Sequence, residues 1–199
     1  MQVAFETQAV ASVAGAMLNS GGFIVYLRAQ SKKEIQTSWI NQAITVLVVA
    51  SEFISISHES SWLQALSYAS GFVFCLLTFL MSLRHAAHER FRLVDAALIA
   101  WSVGLLVLSH VYPVAAIAFL SLYYLSNYTS YLRKIWGGRV REQAAPWGMW
   151  MGSSFLVLIG MQGAHLAAFV LPALSLVAYA LVIRAIEHST PAGTKLTAS

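Results

Sequence analysis

Seven apolar stretches follow one another along the chain, at roughly 8–27, 37–57, 61–83, 93–110, 112–132, 147–163 and 165–186. An α-helix rises about 1.5 Å per residue, so about 20 residues cross a hydrocarbon core. The pattern predicts an all-α, polytopic membrane protein with seven transmembrane helices. The fourth and sixth stretches are the shortest, and a six-span reading is the alternative. The last stretch gives way to a Thr/Ser/Pro/Gly/Ala-rich tail, 188–199, whose composition predicts disorder.

Polar residues inside the stretches are not scattered. At 100° per residue, Ser38, Asn41, Gln42, Thr45 and Glu52 share about 100° of arc on the second helix. Gln64, Ser67, Gly71, Cys75, Thr78 and Ser82 line up on the third, and Ser12, Gly15, Asn19, Gly22 and Tyr26 on the first. Tyr124, Asn127, Tyr128 and Tyr131 share a face of the fifth, and Trp147, Trp150 and Ser154 a face of the sixth; Pro172, Ser175 and Tyr179 make a thinner stripe on the seventh. Such stripes face a bundle interior or a watery cavity. For the first and third helices, close packing of small residues explains the stripe equally well. Asn41, Gln42 and Glu52 are large and polar and need water or partners. Glu52 is the one carboxylate well inside a stretch, and two readings stand: it reaches the outer interface or a neighbouring helix, or it is a substrate contact or proton carrier. Trp39, Trp62 and Trp147 sit at helix ends and read as interfacial belt residues.

Composition agrees with a membrane chain. Of 199 residues 58% are hydrophobic and 10% charged, against about 25% charged in soluble domains. The formal charge of +4 does not imply nucleic acid, because the basic residues sit in the loops. Arg28, Lys32 and Lys33 follow the first stretch, Arg84, Arg90 and Arg92 the third, and Arg133, Lys134, Arg139 and Arg141 the fifth. Arg184 and Lys195 lie at and beyond the end of the seventh. The other three loops carry none. With seven spans every cation falls on one side, which predicts an external N-terminus and a cytoplasmic C-terminus. Glu6 and the lack of a basic leading region argue against a cleaved signal peptide.

The segment from Phe23 to Arg28, Phe-Ile-Val-Tyr-Leu-Arg, returns weakly as Tyr128 to Arg133, Tyr-Thr-Ser-Tyr-Leu-Arg. Each copy closes an apolar stretch, runs into a basic loop, and is followed by a stretch opening on tryptophan, at Trp39 and Trp147. The expected organisation is a first three-helix half, 1–88, a linker helix, 89–111, and a second three-helix half, 112–187, ahead of the 188–199 tail. An even number of crossings separates the copies, so the halves are parallel repeats in a 3+1+3 arrangement.

This layout resembles the SWEET, semiSWEET and PQ-loop transporters, and is similar to that of bacterial nicotinamide riboside transporters. Gln36 to Trp39 resembles the small polar opening of the family's second helix, whereas Val25 and Tyr26 stand where the family has Pro-Gln. The resemblance implies alternating-access carriage of a small polar solute, sugar- or vitamin-like. It sets Ser67 near the family's third-helix asparagine and Trp150 near its second-half tryptophan.

The candidate substrate-binding residues are Asn19, Asn41, Thr45, Glu52, Ser67, Tyr124, Asn127, Trp150 and Ser154. No catalytic or metal site and no cofactor is expected. His58, His85, His88, His110, His165 and His188 all fall near loop ends, which disfavours bis-His haem. The seventh helix has no lysine for a retinal Schiff base, and no phosphate loop or nucleophile elbow occurs. The expected partners are the lipid bilayer and a small polar solute, with no nucleic acid and a homo-oligomer left open. The expected location is a bacterial inner membrane. A non-transporting anchor or assembly subunit of a larger complex is the alternative function, and an enzyme is not expected.

Overall fold

The computed structural model describes residues 2–35, 39–83, 93–137, 142–161 and 166–189. Outside the described residues lie Ser38, the 84–92 loop with Arg84, Arg90 and Arg92, the proposed 88/89 boundary, Arg139, Arg141, His165 and most of the expected tail. Among the described residues there are seven helices and no strand: α1 (Gln2–Ser31), α2 (Trp39–Glu59), α3 (Trp62–Leu83), α4 (Leu93–Val111), α5 (Pro113–Trp136), α6 (Ala144–Gly160) and α7 (Leu166–Ser189). Four of them, α1, α2, α3 and α7, are long and apolar enough to cross a membrane, and α4 is a shorter apolar helix. Large apolar side chains face outward, among them Val10 and Met17, each more than two-thirds exposed. An apolar exterior of this extent is a surface for lipid.

Local chemistry sets the helix ends. Lys33, in the left-handed region at φ 60°, ends α1, with Glu34 N–H donating to Ala29 O and Lys33 N–H to Gln30 O, both at 3.0 Å. These two bonds are the Schellman pattern, here closed by a lysine instead of glycine. Ser61 and Gln64 form a capping box at the start of α3: Ser61 N–H donates to Gln64 Oε1 at 2.8 Å and Gln64 N–H to Ser61 Oγ at 3.4 Å. The same Gln64 donates through Nε2 to Gly160 O at 2.8 Å, tying the start of α3 to the end of α6. Pro113 at the first turn of α5 costs no helix bond, because that N–H has no intrahelical partner.

Helix neighbours follow an ordered pattern. The third helix packs against both α1 and α2, and α7 against both α5 and α6; α1 packs on α6, α2 on α5, and α4 covers α2 and α5. The α1–α6 contact is close because it is built from glycines. A Cβ on Gly22 would lie 2.6 Å from Trp150 Nε1, one on Gly160 2.8 Å from Ser12 Oγ, and one on Gly15 3.4 Å from Ser153 O. These pairings also run α1 and α6 antiparallel. By the same kind of pairing α3 and α1 run parallel (Asn19 to Ser67, Gln30 to Thr78), as do α5 and α7, whose starts share one buried cluster (Ile117 and Leu120 with Ala168 and Leu171) and whose ends share another (Leu132 and Ile135 with Val182 and Ala185). The described Arg28, Lys32, Lys33, Arg133 and Arg184 therefore gather at one end of the bundle, called the basic end below.

Candidate functional site

Six helices meet around a cavity of about 80 Å³. Asn19 and Phe23 come from α1, Val49 and Glu52 from α2, Ser67, Tyr68 and Gly71 from α3, Tyr124 from α5, Trp150, Ser153, Ser154 and Val157 from α6, and Pro172, Ser175 and Tyr179 from α7. The fourth helix supplies nothing. Of the nine residues expected from sequence, six line this one space: Asn19, Glu52, Ser67, Tyr124, Trp150 and Ser154.

Asn41, Thr45 and Asn127 lie outside the cavity. Asn41 points within about 20° of Glu52 around α2, but eleven residues separate them, about 16 Å along the axis. Asn41 and Asn127 are exposed. Thr45 spends its hydroxyl on its own helix, donating to Asn41 O at 2.8 Å, the usual local use of a threonine whose surroundings are apolar. A second correction concerns Trp147. It is buried, not interfacial, and its indole Nε1 donates to Glu142 Oε2 at 3.2 Å. Trp62 is exposed at the start of α3.

Glu52 is 4% exposed and does not reach the outer surface. It receives a hydrogen bond from the Tyr124 hydroxyl, while its Oε1 has no partner. Trp150, 8% exposed, holds an indole Nε1 that likewise has no partner. The Trp150 Nε1 edge lies against α1, 2.6 Å from where a Cβ on Gly22 would stand, so the unpaired donor sits at the α1–α6 seam and the unpaired acceptor on α2. Unpaired buried polar atoms are costly and rare.

Hydrogen bonds across helices hold Asn19, Ser67 and Ser153. Asn19 Nδ2 donates to Ser67 O at 2.8 Å and Ser70 Oγ at 3.1 Å. Ser153 Oγ donates to Gly15 O at 2.8 Å and lies 3.1 Å from Ser67 Oγ. Gly71 leaves room for Asn19, whose Nδ2 would lie 3.2 Å from a Cβ there.

An aromatic cluster closes the cavity toward the basic end. Trp150 packs on Trp147 with ring centroids 5.1 Å apart, on Phe23 at 4.9 Å and on Tyr26 at 5.5 Å. Tyr128 and Tyr179 meet edge to face behind them. Beneath this floor Glu142 receives the Tyr131 hydroxyl and the Trp147 indole. Nearby, Gln143 Nε2 donates to Glu34 Oε2 at 2.7 Å, joining the connection after α1 to the one after α5. Toward the other end Ile56, Ala65, Ile117, Met161, Ala168 and Leu171 belong to one buried apolar cluster.

Sequence reasoning missed Ser153, Tyr68 and Phe23 as lining residues. Ser153 carried one faint signal, its place in a Ser-Ser pair inside an apolar stretch. Tyr68 and Phe23 carried none, since an aromatic in an apolar helix reads as lipid-facing or core.

Comparison of the chain with protein-family models, with curated proteins and with solved structures finds no match in any of the three.

Proposed function

We propose that this protein is a membrane carrier for a small polar solute, working by alternating access between two parallel three-helix halves, 1–88 and 112–187, joined by a linker helix. One observation carries the reading. The cavity draws lining from all three helices of each half and none from α4, and its one carboxylate, Glu52, has an oxygen without a partner. A site between repeats is where a carrier built this way binds its solute.

The packing order supports the repeat. Exchanging α1 with α5, α2 with α6 and α3 with α7 turns every contact within one half into a contact within the other, and turns the α1–α6 seam into the α5–α2 seam. The gathering of described cations at one end supports an external N-terminus and a cytoplasmic C-terminus. A bacterial inner membrane fits a short chain of this composition.

The test is uptake into liposomes reconstituted with purified, monodisperse protein, using a panel of radiolabelled sugars, vitamins and small amines. At least one solute is expected to enter faster than into protein-free vesicles. A folded protein that moves none of them overturns the reading.

A further inference from the structure

The cavity's chemistry goes further than its shape. We infer that the solute it holds is a small organic cation, a protonated amine, because Glu52, the lone lining carboxylate, has an oxygen without a partner and stands among aromatic rings with no basic residue beside it. This deepens the carrier reading and rests on it for taking the cavity as the solute's seat.

Glu52 is the single carboxylate among the lining residues, and the lining includes no Lys, Arg or His. An isolated buried carboxylate lacks the partner that such groups need. The Tyr124 hydroxyl supplies one hydrogen bond to it, and Oε1 is left without a partner. An N–H of an ammonium group satisfies both requirements at once: it donates to Oε1 and it neutralises the charge. A neutral polyol supplies the hydrogen bond but not the charge.

The walls suit the same ligand. Phe23, Tyr68, Tyr124, Trp150 and Tyr179 present aromatic rings to the cavity, and ring faces attract ammonium groups. The volume of about 80 Å³ suits a small ligand. A metal ion fits poorly, since among the described residues no group of three His, Cys, Asp or Glu could hold one.

The experiment is calorimetric titration and thermal melting of the purified full chain in detergent, at fixed pH and ionic strength, with ethanolamine, glycerol and sodium chloride as probes. Ethanolamine is expected to bind and to raise the melting temperature, with glycerol and sodium chloride at matched concentration giving no shift. Glu52→Gln is expected to weaken ethanolamine binding by about 10- to 100-fold, the worth of a hydrogen bond to a charged group. Glu52→Asp keeps the charge and is expected to retain part of the affinity. Trp150→Phe keeps the ring and is expected to lose less than Glu52→Gln. Melting of each variant without ligand checks its folding. Equal binding of glycerol, a sodium chloride shift as large as that of ethanolamine, or unchanged ethanolamine binding in a folded Glu52→Gln overturns the assignment. Ethanolamine binding without flux of any solute sinks the carrier reading and leaves this one standing. Flux of a neutral solute with no ethanolamine binding does the reverse.

Discussion

Glu142 stands in the connection between α5 and α6, where the Tyr131 hydroxyl and the Trp147 indole converge on one carboxylate. Burial raises its pKa above the ordinary carboxylate range, and hydrogen bonds from Tyr131, Trp147 and the Gln143 backbone pull it partly back. A carboxyl that holds its proton more tightly when folded stabilises the fold fully below its unfolded value near ~4.3. That contribution is lost as pH rises through the raised folded value. The melting temperature of the native chain is therefore expected to fall with rising pH across that window. In Glu142→Gln, whose side chain does not titrate, the fall should shrink. An identical slope in the two proteins would remove Glu142 as its source. At this scale the sequence was legible where angle alone decides, and not where depth or a local bond decides. The wheel placed Asn19, Glu52, Ser67 and Trp150 on inward faces, and they line the cavity. It placed Asn41 and Thr45 with Glu52 for the same reason and had no axial coordinate to separate them. Nothing in the spacing of Trp147 announced a carboxylate five residues upstream as its partner.

At the scale of the helix pair, two adjacent glycines of α1 separate what close packing tolerates from what it does not. A Cβ on Gly21 would fall 2.5 Å from Met149 Cε, the free end of a flexible chain. A Cβ on Gly22 would fall 2.6 Å from the Trp150 ring and 3.2 Å from Pro146 O, and that ring is held by Phe23, Tyr26, Trp147 and Tyr179. Gly21→Ala is expected to change stability by no more than about 0.5 kcal/mol, because the methionine can swing aside. Gly22→Ala is expected to cost about 1–3 kcal/mol through overpacking. Thermal melting in detergent compares the two, and equal losses would contradict the rigid contact at Trp150. The helices themselves were legible as runs of apolar residues, and each appears within a few residues of its expected place, the first extended at both ends to Gln2–Ser31. Which helix touches which was not legible, because glycine contacts such as Gly22 with Trp150 depend on how two surfaces meet, and a single helix face does not encode that.

For the whole molecule, sidedness is the property most directly tested. Cys75, the chain's single cysteine, is buried, so a Cys75→Ala background accepts single reporters. Lys32 after α1 and Tyr112 between α4 and α5 are both exposed and lie toward opposite ends of the bundle. In intact cells Tyr112→Cys is expected to react with a membrane-impermeant maleimide, and Lys32→Cys only after the membrane is opened; labelling of both from outside would refute the orientation. The expectation of this orientation comes from the distribution of cations along the sequence, whereas the difference between the α1–α6 and α2–α5 seams was not legible there. One seam, α1 against α6, is packed through Gly15, Gly21, Gly22, Gly152 and Gly160. Its counterpart, α2 against α5, contains no glycine at all and sets Glu52 against Tyr124. In a homodimer of one three-helix unit the two seams must be identical, so any residue chosen for tight contact appears twice and so does any residue chosen for the solute. A single chain carrying two such units is released from that symmetry, and here the two seams differ: one is packed through glycines and the other sets a carboxylate against a tyrosine.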